Sequence, residues 1–106
     1  SQPAQRSSSE KDISRIWCVA REGKNEFRTK YGTYVDCLTP QYAVEVEYDK
    51  NWKESIGQSL HYAEATGKSP AILLIKRKSS NKDYYLELSN VISRYQLPIK
   101  VYQIGE

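Results

Sequence analysis

Several residue types are scarce in this chain, and each scarcity removes a class of protein. Histidine occurs once, at His61, and cysteine twice, at Cys18 and Cys37. The two thiols do not stand at zinc-ligand spacing and a single imidazole does not complete such a site, so the pattern argues against a zinc centre. The thiols leave two readings open: a disulfide tying the first helix to a strand, which requires an oxidising compartment, or two buried thiols in a reducing one. Long apolar runs are also missing. The longest, Ala71 to Ile75, is far short of the roughly 20 residues a helix needs to cross a bilayer. No charged-then-apolar targeting segment is present, which fits a cytosolic protein or a mature form whose signal has been removed. Nor is there a large charge imbalance: 16 Lys and Arg face 13 Asp and Glu, for a net charge of +3. That balance tolerates a polyanionic partner without pointing at one.

What is present reads as one α/β domain. At 106 residues the chain has room for a single core. Residues 1–10 are polar and lack the aromatic or β-branched residues that would offset their ordering entropy, so they read as a loose tail before a domain at 11–106. From a cap at Asp12, Ile13, Ile16, Trp17 and Ala20 recur at helical spacing up to Gly23. Glu26 to Thr29 and Thr33 to Leu38 flank Lys30-Tyr31-Gly32 and predict a hairpin. Tyr42 to Tyr48 alternates, with Tyr42, Val44, Val46 and Tyr48 on one face and Ala43, Glu45 and Glu47 on the other. Asp49 or Asn51 caps a helix carried by Trp52, Ile56, Leu60 and Ala63 and closed at Thr66-Gly67. The apolar run 71–75 predicts a strand buried on both faces. Residues 81–96 supply its covering helix and 98–104 a last strand. The order αβββαβαβ implies a mixed sheet with helices on both faces.

Candidate chemistry centres on acids. Glu45 and Glu47 project from one strand face within about 7 Å of each other. Their strand is expected to be internal, where carboxylates need a cation or a lysine to balance them. Asp36, and Glu26 across the hairpin, bring the expected cluster to four. Such oxygen-rich groups suit Mg²⁺ or Mn²⁺, which generate hydroxide for attack on a phosphodiester. On the following helix, Gln58 and Tyr62 form a Q-x-x-x-Y pair one turn apart. Basic residues gather at Lys76-Arg77-Lys78 with Lys82, and at Lys50 with Lys53.

Asp36, then Glu45-Val-Glu47, then Gln58-x-x-x-Tyr62 in this element order resembles the PD-(D/E)XK nuclease-like superfamily. Over residues 16–104 the chain is also similar to a group of short bacterial proteins, many of them exported. The resemblance implies a restriction-endonuclease-like αβββαβ core with a further αβ unit. It makes Asp36 and Glu45 the ligands of Mg²⁺ or Mn²⁺, Glu26 the helix-proximal acid, and Gln58 and Tyr62 accessory residues. The lysine such a site carries two residues after Glu45 is Glu47 here, which leaves Lys50 or Lys53 as a displaced substitute. Membership of the exported group implies a Cys18–Cys37 bridge and a periplasmic or secreted location.

Two functions follow from the resemblance. One is metal-dependent hydrolysis of DNA or RNA by Asp36, Glu45 and Glu47 with Lys50 or Lys53. The other is a catalytically inactive, exported binding or effector-like protein that meets a protein partner through its tyrosines. A further class, read from the basic residues alone, is a nucleic-acid binder without chemistry that uses Lys76, Arg77, Lys78 and Lys82 and shows steep salt dependence.

Overall fold

The computed structural model describes residues 8–106. The elements are α1 (Ser8–Val19), β1 (Lys24–Arg28), β2 (Tyr34–Leu38), β3 (Tyr42–Tyr48), α2 (Trp52–Thr66), β4 (Ser69–Lys76), α3 (Tyr84–Arg94) and β5 (Lys100–Gly105). This is the expected order and an α/β fold. One boundary differs. Helix α1 starts at Ser8, four residues before the expected cap at Asp12, so the last three residues of the presumed tail are helical. Glu10 is buried, and the Ser9 hydroxyl lies 2.7 Å from the Tyr48 hydroxyl. Tertiary contacts at the end of β3 thus extend a helix that its own polar residues do not announce. Residues 1–7 of that tail lie outside the described residues.

The five strands form one sheet in sequence order. β1, β2 and β3 are antiparallel neighbours, while β4 runs parallel to β3 and to β5. The reason lies in the connections: a tight turn joins antiparallel strands, and a helical crossover joins parallel ones. The β1–β2 turn closes with Thr29 N–H on the Thr33 carbonyl at 2.7 Å, and Gly32 adopts the left-handed φ of 82° that a side chain disfavours. Ala71 to Ile75 of β4 are fully buried, as their unbroken apolar character predicts.

Both crossover helices cover one face. There Trp52, Ile56 and Leu60 of α2 and Leu88, Val91 and Ile92 of α3 pack with Ile72, Leu74, Ile99 and Val101. On the opposite face α1 sets Ile13 and Trp17 against Val44, Val46, Leu73 and Ile75. Those residues of β4 lie under neighbouring rings more than under a helix: Tyr102 meets Trp17 edge-on at 5.1 Å and Tyr42 at 6.4 Å.

Cys18 and Cys37 are joined by a disulfide that ties α1 to β2. Gly23 permits the close approach, since a Cβ there would stand 2.5 Å from both sulfurs.

The strand alternation breaks at Asp36. Cys37 packs on the α1 side, yet Val35, two residues away, packs with Ala43 and Tyr62 on the α2 side. The β2–β3 ladder pairs Leu38 with Ala43 and Cys37 with Val44 and then stops. At the next position the Asp36 carboxyl accepts the Val46 backbone N–H at 2.7 Å, so a side chain takes the place of a ladder carbonyl. Across the hairpin, Glu26 has a φ of 55°, strained for a residue with a side chain.

Candidate functional site

The split between β2 and β3 brings the expected acids together. Asp36 and Glu45 are fully buried, and Glu47 and Glu10 nearly so. Burial pushes the Glu45 carboxyl well above its ordinary range, and a side-chain hydrogen bond with Asp36 raises it further. Glu47 is pushed up to about 7, first by burial and then by the neighbouring charge of Glu10. A neutral glutamic acid bonded to Asp36 meets the desolvation problem without a cation, because the proton removes the charge that burial penalises. Among the described residues, no three His, Cys, Asp or Glu side chains are grouped to hold a metal ion.

The remaining expected site residues are placed differently. Lys50 and Lys53 stand exposed where the chain enters α2, and Lys53 Nζ sits 5.8 Å from the Trp52 ring. Among the described residues neither lysine forms an ion pair with the buried acids. Gln58 and Tyr62 meet each other, the buried phenol donating to the Gln58 carbonyl oxygen at 3.0 Å. The tyrosine satisfies its own hydroxyl while its ring packs on Val35 and Ala43, a structural role. Glu26 is half-buried on β1. His61 takes part in docking the hairpin, with the Thr33 hydroxyl 2.7 Å from its Nε2 and Tyr31 donating to Glu64 alongside at 3.2 Å.

Two acids escape sequence reasoning. Glu10 lay in the presumed tail. Asp49, expected with Asn51 as one of two alternative helix caps, is buried and its Oδ1 accepts from Lys50 N at 3.0 Å, Arg77 N at 3.4 Å and Ser80 Oγ at 2.8 Å. It thereby pins the loop after β4. No local signal marks that role, because two of its partners are about thirty positions away along the chain.

That loop borders an open cleft of about 620 Å³ at the C-terminal ends of β4 and β5. Lys76, Asn81, Lys82, Tyr85 and Gln103 line it. Lys76 follows Ile72 and Leu74 at strand spacing and so faces the α2–α3 side. Lys82 pairs with Glu87 at 3.5 Å and Arg77 with Glu106 at 3.3 Å. Lys76 and Lys78 are exposed and form no ion pair among the described residues.

No family model matches the chain. No solved structure matches it either. The chain is 31% identical over 100 residues to a putative KilA-N domain-containing protein, R878, of Acanthamoeba polyphaga mimivirus, covering 94% of this chain and 27% of that protein. It is 39% identical over 74 residues to a second such protein, L32, of the same virus, covering 69% of this chain and 20% of that protein. The chain thus spans about a quarter of the length of the curated relatives it matches. These matches overturn the resemblance to PD-(D/E)XK nucleases and to short exported bacterial proteins. The relatives are much longer viral proteins named for a KilA-N domain. The nuclease assignment, and the inactive exported descendant offered beside it, are withdrawn with the resemblance that carried them.

Among the described residues no helix is long and apolar enough to cross a membrane.

Proposed function

We propose that this domain binds nucleic acid through the basic cleft at the ends of β4 and β5. The observation that carries the reading is the exposure of Lys76 in the cleft and of Lys78 just after it, with neither side-chain ammonium in an ion pair among the described residues, although the Lys78 backbone N–H donates to Glu106 at 3.1 Å. A lysine already paired loses its partner when it meets a phosphate, whereas an unpaired one gains a contact and releases counterions. Asp49 supports this by holding Arg77 N and Ser80, which presents the loop in one shape. An oxidising location, exported or otherwise outside a reducing cytosol, accompanies the proposal, since that is where a bridge such as Cys18–Cys37 forms and persists.

Fluorescence anisotropy with a labelled oligonucleotide tests the reading. If about three phosphates are engaged, log K is expected to fall against log salt with a slope of roughly −2 to −3. Lys76→Ala with Lys78→Ala should make that slope shallower by about 2. Absence of binding at low salt, or binding indifferent to salt, would sink the proposal.

A further inference from the structure

We infer that the cleft takes a single strand in preference to a duplex, seating one base against the Tyr85 ring and neighbouring phosphates on Lys76 and Lys82. This rests on the nucleic-acid reading above and specifies the form of the ligand.

A site that followed only the backbone would need cations alone. This cleft has three further parts. Its volume of about 620 Å³ falls within the range of roughly 300–1,000 Å³ typical of small-molecule pockets, room for an inserted base. Tyr85 is half-buried, packed against the cluster of Ile72, Leu74 and Leu88, and still lines the cleft. Core packing therefore holds the ring in place, so little side-chain entropy is lost when a base stacks on it.

The third part is amide chemistry. Asn81 and Gln103 line the same cleft, both exposed and neither side-chain amide with a hydrogen-bond partner among the described residues. Gln103 pairs with Leu74 across β4–β5, which puts it one step inward from the Lys76–Gly105 pair at the sheet end. An amide presents a donor and an acceptor together, the combination that reads a base edge. A phosphate needs neither the acceptor nor the ring.

The carboxylates nearby, Asp83, Glu87 and Glu106, each already have a partner, Glu106 pairing with Arg77 at 3.3 Å and accepting the Lys78 N–H at 3.1 Å. Asp83 borders the cleft but its Oδ1 caps α3 through the Leu86 N–H at 3.0 Å. Glu87 engages Lys82 in an exposed pair, which a phosphate can displace at little loss. Bases of a duplex are paired and stacked, so reaching a half-buried ring requires extruding one, whereas a single strand already offers them.

The test uses the full chain and three labelled probes at one salt concentration: a mixed-sequence DNA 12-mer, its duplex, and the 12-mer with its central bases removed. The intact single strand is expected to bind about tenfold tighter than the other two. Tyr85→Ala should weaken it about tenfold and leave the duplex unchanged, while Tyr85→Phe retains binding. Should Tyr85→Ala unfold, Asn81→Ala with Gln103→Ala on the exposed rim is expected to weaken the single strand at least threefold. Equal affinity for all three probes overturns the inference and leaves the nucleic-acid reading standing if Lys76→Ala with Lys78→Ala still weakens binding. Binding of none of the three overturns both.

Discussion

At the scale of single residues the buried acids and one glycine govern stability. Glu47 is held at about 7 and Glu45 well above the ordinary value, both chiefly by burial. A carboxyl whose folded pKa is raised favours folding fully below its unfolded pKa, near 4.5. That contribution is lost as pH rises through the folded value, because the unfolded chain then releases a proton the folded chain retains. The unfolding free energy from urea titrations is therefore expected to fall between about pH 4.5 and 7 through Glu47, by up to about 1.4 kcal/mol per pH unit for each such group. Glu47→Gln should flatten part of that slope, and a free energy unchanged over the range would refute the assignment. Gly23 makes a second prediction. An added Cβ would stand 2.5 Å from both Cys18 Sγ and Cys37 Sγ, so Gly23→Ala should cost about 1–3 kcal/mol by overpacking. The same substitution in a Cys18→Ala, Cys37→Ala background should cost measurably less, a coupling that thermal denaturation of the four proteins would read out.

At the scale of elements, what a segment does depends on what pins it. The loop between β4 and α3 is held by Asp49 from the end of β3, through Arg77 N and Ser80 Oγ. Asp49→Ala should leave most of the fold intact, speed amide exchange across residues 77–80, and weaken oligonucleotide binding several-fold, since an unpinned loop must be ordered on binding. Unchanged exchange in that loop would show that Asp49 does not restrain it. The elements themselves were largely legible. Period-two alternation placed Tyr42, Val44, Val46 and Tyr48 opposite Ala43, Glu45 and Glu47, and the first group does pack on the α1 side while Ala43 packs on the α2 side. The break at Asp36 was not legible, because it depends on a side chain accepting the N–H of Val46 from another strand. The early start of α1 was missed for a similar reason: Ser9 and Glu10 find their surroundings only once β3 is in place.

At the scale of the whole molecule, a net charge of +3 is too small to steer a polyanion over distance. Affinity should therefore depend on where cations stand more than on how many there are. Lys24→Ala with Lys30→Ala, on the far hairpin, should change oligonucleotide affinity less than twofold, whereas Lys76→Ala with Lys78→Ala should reduce it at least fivefold at moderate salt; equal effects would argue for diffuse attraction. By itself the amino-acid order determined the succession of elements, the fully buried central strand and the two-faced β3, because these follow from periodicities that neighbouring residues establish among themselves. Only the tertiary structure decided that Glu45 shares a hydrogen bond with Asp36 and that the Tyr62 hydroxyl donates to Gln58 Oε1. It alone left Lys50 and Lys53, like Lys76 and Lys78, exposed and without ion pairs among the described residues. Pairings of that kind depend on separations of a few ångströms between segments far apart along the chain, and packing, not local spacing, sets those distances.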